Sequence, residues 1–354
     1  MSDNPPKIPK TMRAWQFSST RGGLEKNLKL NDAVPVPNHG GQKVLVRVLA
    51  AGINPADYKV AEMPIVGRFI FPKNSTPGMD FAGVVADPGD SSSAFKEGQR
   101  VFGRMHGINE GGSLAEYVAV DRTGVALIPD GVKAEQAAGV GTAGLTAYQT
   151  IVPNVKPGTG ARIFINGGSG GTGVWSIQIA KVLGCHVVTT CSGANAQFCK
   201  NLGADEVIDY RTTDVVKSLK AMADESKQGH QFDLVVDNVG TQGQLYWQSH
   251  HYLSKIGRYI QIGAEPSVSA TWGLIMKLVW PKFLGGGKRK FQFLSVTTQA
   301  DRLTEMGNWL QQGKVQTPIH NNEVVPFEDA VKAFTTLKSH RTTGKIVIQV
   351  SEES

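Results

Sequence analysis

The chain has 354 residues, 40% of them apolar, with 37 Lys and Arg against 30 Asp and Glu, a net charge of +7 and 41 glycines. That length accommodates two domains around a large buried core, and no apolar run is long enough to span a bilayer. The positive balance suits an anionic ligand such as a phosphorylated cofactor, or is simply a solvated surface, and no nucleic-acid motif accompanies it.

The opening stretch MSDNPPKIPK is polar and reads as a flexible tail rather than a secretory signal. The first third is β-rich: Arg13 to Phe17, Lys43 to Ala50, Asp80 to Ala86, Arg100 to Gly103 and Leu114 to Val120 read as strands between glycine and proline clusters. No helical periodicity precedes about Lys133, so this part is expected to form a small, mostly antiparallel, partly barrel-like unit. Glu110 to Ser113 is a turn. From about Pro129 strands and helices alternate. Strands are expected at Arg162 to Ile165, His186 to Thr190, Glu206 to Tyr210, Phe232 to Val236, Arg258 to Ile262 and Phe291 to Val296. Helices fall at Ala134 to Ala138, Leu145 to Ile151, Gly173 to Leu183, Ala194 to Leu202, Asp214 to Met222, Gln244 to Leu253 and Ala300 to Gln311. Six strands with crossovers make two mononucleotide-binding halves of a doubly wound parallel sheet, an α/β Rossmann arrangement. After a β-like stretch, Val315 to Val325, a last helix (Phe327 to Leu337) and strand (Lys345 to Val350) rejoin the first unit. The domains are therefore drawn as 1–128 with 314–354, and 129–313. Cys185, Cys191 and Cys199 are odd in number and lack zinc-type spacing, which points to a reducing, cytoplasmic setting.

The segment that organises the second domain is Ala161 to Gly173, ARIFINGGSGGTG. An apolar strand runs straight into Gly168-Ser169-Gly170-Gly171-Thr172-Gly173, which fits G-x-G-x-x-G, and a helix follows from Val174. The missing side chains let backbone approach a pyrophosphate, and the helix N-terminus offers unpaired N–H groups and a positive dipole end. In this strand–turn–helix context the fingerprint predicts dinucleotide binding. Asn238, Val239, Ile262 and Gly263 end strands four and five at the same carboxyl edge.

Further segments carry a resemblance. They are Gly52-Ile53-Asn54-Pro55-Ala56-Asp57, Pro77-Gly78-Met79-Asp80-Phe81-Ala82-Gly83, Gly144-Leu145-Thr146-Ala147-Tyr148, Leu202-Gly203-Ala204-Asp205 and Ile208-Asp209-Tyr210. With the glycine loop they make nearly the whole chain resemble the medium-chain dehydrogenase/reductase superfamily, in its zinc-free quinone and enone oxidoreductase branch. The resemblance implies a GroES-like catalytic domain beside the Rossmann domain. Zinc-dependent members have Cys where Asn54 stands and Gly-His-Glu where Gly78-Met79-Asp80 stands. Asn54 and Met79 are poor zinc donors, so no metal is expected.

A strand-two acid about twenty residues past the glycine loop would bind the ribose 2′-hydroxyl of NAD. Val187 to Gly193 holds none, which permits NADP. Ser192 can hydrogen-bond the 2′-phosphate, and Tyr210 matches a tyrosine that the family places near it. Ala194 and Asn195 stand where a Lys or Arg is common, and Lys200 and Arg211 are further donors or plain surface cations. The resemblance sets Thr142 toward the nicotinamide and Lys345, in Thr343-Gly344-Lys345, on a segment that closes on the active site.

Without metal, a donor must hold the charge that grows on the substrate oxygen. Asn54 to Lys59 is the expected supplier, with Lys59 first and Tyr58 or Asn54 as substitutes. Lys59 reads equally as a surface lysine, and Asp57 equally as a turn or capping carboxylate. His106, His250, His251 and His320 are structural or surface residues. Ala264 to Lys290 is apolar at Trp272, Leu274, Ile275, Met276, Leu278, Val279, Trp280, Phe283 and Leu284 and then basic. It reads as a lid or core-packing helix at the substrate pocket, with a membrane-surface anchor as the second reading. The expected activity is NADPH-dependent reduction of quinones or α,β-unsaturated carbonyls by a monomer or homodimer. The alternatives are a trans-acting enoyl reductase serving a polyketide synthase, and a non-catalytic NADPH-binding protein.

Overall fold

A computed structural model describes residues 8–63, 66–107, 111–225, 231–241, 243–265, 267–281 and 284–353, without the side chains of residues 66, 225 and 268. Most of the N-terminal tail, the first residue of the Glu110 to Ser113 turn, and Phe283 lie outside these residues.

The strands are β1 (Thr11–Gln16), β2 (Lys29–Pro35), β3 (Lys43–Ile53), β4 (Asp80–Asp87), β5 (Arg100–Arg104), β6 (Tyr117–Asp121), β7 (Val125–Leu127), β8 (Arg162–Asn166), β9 (His186–Cys191), β10 (Glu206–Asp209), β11 (Phe232–Asp237), β12 (Leu253–Gln261), β13 (Lys290–Phe293), β14 (Val325–Pro326) and β15 (Ile346–Gln349). The helices that bear on the site are α1 (Pro55–Lys59), α2 (Val66–Ile70), α3 (Ala134–Ala138), α4 (Gly141–Ile151) and α5 (Gly171–Val182). They are followed by α6 (Ala196–Asn201), α7 (Val215–Glu225), α8 (Gly243–Trp247), α9 (Val268–Val279), α10 (Ala300–Gln311) and α11 (Ala330–Lys338).

The cofactor-type sheet is wholly parallel, in the order β10-β9-β8-β11-β12-β13. Chain order reverses between β8 and β11. In a doubly wound sheet the crevice at such a reversal, outside the carboxyl ends of the strands, is where ligands bind. Its central strands are buried on both faces, which explains their continuous apolar runs.

The other sheet runs β14-β15-β3-β4-β5-β7, with β6 also on β3. It is antiparallel except for the β14–β15 pair. The chain's last strand, β15, pairs with β3. β1 and β2 form a separate ribbon. One continuous core includes Ala82 and Phe102 of the first sheet, Leu145 and Tyr148 of α4, and Val174 and Ile177 of α5. That shared packing holds the two units in one arrangement and sets β3, α1 and β4 against the glycine loop.

Candidate functional site

The glycine loop leaves β8 at Asn166 and enters α5 at Gly171. Gly167 has φ of 83°, a left-handed conformation that suits glycine. A methyl group there would come within 2.8 Å of Val239 Cγ2, so the turns after β8 and β11 are in direct contact. At Gly171 the nearest atoms to such a methyl would be Lys345 Cδ at 3.5 Å and Gly344 O at 3.6 Å, which leaves the backbone open to a ligand. The loop hangs on a buried network: Thr190 Oγ1 accepts from Gly167 N (2.8 Å) and donates to Asn166 Oδ1 (2.7 Å). Asn166 Nδ2 donates to Asp237 Oδ1 (2.8 Å), which also takes the N–H of Val239 (3.1 Å) and Gly240 (2.9 Å). Asn238 keeps both side-chain polar atoms buried without a partner among the described residues, a donor–acceptor pair suited to an amide. Open backbone at a helix N-terminus and an unpaired amide at the crevice fit a nicotinamide dinucleotide.

Opposite the loop lies a buried charge cluster. Asp80, fully buried, starts β4. Its Oδ1 accepts from Thr142 N (2.7 Å) and Oγ1 (2.6 Å), and its Oδ2 from Asn54 Nδ2 (2.8 Å). Lys345 is only 2% exposed, and its ammonium donates to Asn54 Oδ1 (2.7 Å) and Ile53 O (3.2 Å), 3.5 Å from Asp80 Oδ2. Gly344 N donates to Ser169 O (2.9 Å), which ties the Thr343-Gly344-Lys345 segment to the glycine loop. The stem of Lys345 passes Gly171, but its charged head faces Asn54 and Asp80. Arg104, ending β5, donates from Nε to Thr142 Oγ1 (3.0 Å) and from Nη1 to Thr298 Oγ1 (2.6 Å).

The three expected donors separate. Asn54 spends its amide on Asp80 and Lys345, and Tyr58 is buried in the catalytic core with the Lys338 ammonium 5.3 Å from its ring centroid. Burial and the nearby Glu265 push the Tyr58 phenol up to about 12. The Asn54 amide is thus committed to the buried cluster, while the Tyr58 phenol is near enough to Glu265 to be affected by its charge. Lys59 reaches across to the loop after β12, donating to Glu265 Oε1 (3.0 Å) and Ala264 O (3.3 Å). Ile262 and Gly263 sit just before that contact, and Asn238 O lies 2.3 Å from where a methyl on Gly263 would be.

At the far end of the crevice Ser192 follows β9 and is nearly buried, and Asn195 Nδ2 donates to Ser169 Oγ (3.3 Å). Tyr210 is 48% exposed, and Lys200 and Arg211 lie on the surface. One acid was missed. Asp209 belongs to β10, outside the stretch where an acid is sought, yet its Oδ2 is 2.6 Å from where a methyl on Gly193 would be.

Residues 40–130 match the family model described as alcohol dehydrogenase GroES-like domain, and residues 202–348 match the one described as zinc-binding dehydrogenase. The chain is 45% identical over 360 residues to the trans-enoyl reductase pgmF of Aspergillus terreus, covering 98% of each chain. The chain belongs to the medium-chain dehydrogenase/reductase superfamily. Its relatives there include the chloroplastic NADPH-dependent alkenal/one oxidoreductase of Arabidopsis thaliana, 31% identical over 96% of this chain and 80% of that one. Among solved structures, the quinone oxidoreductase of Coxiella burnetii superimposes with a TM-score of 0.80 at 28% identity, over 96% of this chain and 99% of that one. These comparisons set the chain in the quinone and enone reductase branch, as an oxidoreductase that binds NAD(P).

Zinc, which the superfamily's name for one domain implies, does not fit these residues. The Asn54 amide is occupied, Met79 offers a thioether, and Lys345 and Arg104 put two cations beside the same positions. Among the described residues no group of three His, Cys, Asp or Glu is placed to hold a metal. Elemental analysis is expected to find far less than one zinc per chain, and stoichiometric zinc would contradict this.

Asp57 adds a pH-sensitive element to the superfamily's fold here. Its Oδ2 accepts from Asn54 N (2.6 Å), which is the capping role, and its Oδ1 is buried without a partner. Burial first, then the neighbouring Asp80, raises its pKa to about 7. An unfolded Asp titrates near about 3.9. Between those values the native chain holds a proton that the unfolded chain has lost. The protonated carboxyl therefore stabilises the fold below about pH 4, and that contribution is lost as pH rises through about 7. Asp57→Asn is expected to gain on the order of a few kcal/mol over wild type at pH 8 relative to pH 5, measured by urea unfolding. Parallel profiles for the two proteins would contradict this assignment.

The apolar segment after β12 forms α9 with its large side chains outward: Trp272 is 63%, Leu278 57% and Val279 65% exposed. The expectation of an apolar face packed over the pocket is not met by these residues. The helix instead buries Lys277, whose ammonium donates to Gln261 Oε1 (2.7 Å). No helix among the described residues is long and apolar enough to cross a membrane. A cavity of about 820 Å³ lies away from the crevice, between Asp130, Lys133, Gln178, Lys181 and Lys314, and contains none of the candidate residues.

Proposed function

We propose that this protein reduces quinones or α,β-unsaturated carbonyl compounds with NADPH, without metal. The observation that supports it best is Lys59. A cation from the catalytic domain stands over the carboxyl edge of the dinucleotide sheet, beside the turns of Asn238 and Gly263. When bound, the nicotinamide supplies a hydride. The glycine loop with Thr172, Gly173 and Val174 holds the pyrophosphate, and Ser192, Asn195 and Tyr210 the adenosine phosphate. Thr142, fixed by Asp80, and Asn238 bound the nicotinamide end. Lys59 exchanges Glu265 for the substrate oxygen and holds the charge that develops there.

A second reading has a specific observation in its favour. The relative at 45% identity is named a trans-enoyl reductase, which suits a substrate tethered to a polyketide synthase. NADPH consumption with a panel of quinones, free enones and enoyl thioesters tests both. Turnover of free quinones or enones supports the first reading, turnover of thioesters alone the second, and none at all leaves a non-catalytic NADPH-binding protein.

NADPH is expected to bind tighter than NADH, because Val187 to Gly193 holds no acid and Ser192 and Tyr210 can serve the phosphate; the margin is small because Ala194 stands where a base is common and Asp209 sets a negative charge beside the turn. Ala194→Lys supplies a charge partner for the phosphate, and Asp209→Asn removes a repulsion. Each should widen the preference several-fold. Fluorescence titration with both cofactors checks this, and equal affinities in wild type and both variants would refute it.

A further inference from the structure

Arg104 is a second cation beside the buried Asn54–Asp80 cluster. It ends β5 and is 6% exposed. Its Nε serves Thr142 and its Nη1 serves Thr298 Oγ1 and Met105 O (3.2 Å). Its Nη2 has only Met79 Sδ, 3.9 Å away and a weak acceptor, among the described residues. Asp80 and Asp57 are near enough to act on its charge, but its link to Asp80 runs through Thr142 Oγ1 rather than through a direct ion pair. A buried guanidinium N–H left with only a weak acceptor is costly to keep. This one lies against Met79, which stands where the zinc-dependent members have their His, and against Thr142, on the cofactor side.

We propose that Arg104 is a catalytic residue that donates from Nη2 to the carbonyl oxygen of the substrate, taking the electrostatic part that a metal takes in the zinc-dependent members. The proposal rests on the substrate being an enone or quinone. In an enone, hydride adds with its electron pair to the β-carbon, and the C=C pair shifts toward the carbonyl carbon. The C=O pair moves onto oxygen, which becomes the enolate oxygen, held by Arg104 together with Lys59. A proton from solvent then adds at the α-carbon and the carbonyl re-forms. Two electrons leave the cofactor and two enter the substrate.

The test uses 4-nitrophenol, whose ionised form absorbs visible light, added to the full-length protein without cofactor. Bound to wild type, it is expected to ionise at least about one pH unit below its free value, a tenfold shift. Arg104→Met should abolish the shift, and Arg104→Lys, which keeps a cation and a safer fold, should retain part of it. An unshifted phenol in wild type, or equal shifts in wild type and both variants, overturns the proposal. In turnover, Arg104→Ala should lose about a hundredfold and recover with added guanidinium ion but not with sodium chloride of equal ionic strength. Failure of guanidinium to rescue a folded variant also overturns it. Wild type that acidifies the phenol yet reduces no enone or quinone would instead remove the functional reading and leave the donor in place.

Discussion

Lys59→Met is expected to lower enone turnover about a hundredfold or more while leaving NADPH affinity nearly unchanged. Lys59 ends α1, a five-residue helix that starts at Pro55, a proline suited to a first helical position. β3 delivers this helix to the crevice, where the ammonium meets Glu265 and the Ala264 carbonyl. Both are acceptors that a substrate oxygen can displace, and the loss of one positioned donor falls on the transition state, where the charge is greatest. Methionine keeps the length and apolar stem of lysine, so packing changes little. Turnover and NADPH binding measured on the same preparation decide the matter. A variant with wild-type turnover would make Lys59 a tie between the two domains and nothing more.

Asp80→Ala is expected to be the most destabilising single change in the site, by about 3–5 kcal/mol, the range for breaking a buried ion pair from one side. It strips acceptors from Thr142 N and Oγ1 and from Asn54 Nδ2, and leaves the Lys345 ammonium without its carboxylate. Asp80→Asn keeps an acceptor on one side and should cost less. Urea unfolding followed by tryptophan fluorescence measures both variants. A loss of less than about 1 kcal/mol for the alanine variant would show that the cluster is not the coupled unit described here.

The parallel sheet was legible because its strands are buried on both faces and separated by turns and helices. The strand β2 was not. Its KLNDAVP sequence is mostly exposed and has no alternation to read. α1 is too short for a periodic pattern, so Asn54 to Lys59 was readable as a motif but not as a helix. The same shortness hid the fate of Asn54 and Tyr58. The partners of Asn54 lie 26 residues away at Asp80 and 291 away at Lys345, and no local pattern foretells such contacts. Arg104 lay one residue past the strand read at Arg100 to Gly103, and Asp209 lay outside the window in which an acid is sought. α9 shows the converse: its composition is mostly apolar, but which face meets the protein depends on what the rest of the chain offers it.

The most direct measurement is the fate of the transferred hydrogen. The enzyme is supplied with an α,β-unsaturated ketone and NADPH carrying deuterium at its transferable position, and the product is read by NMR. The account predicts a saturated ketone with deuterium at the β-carbon and a solvent-derived hydrogen at the α-carbon. Deuterium at the carbonyl carbon, giving an allylic alcohol, would contradict it.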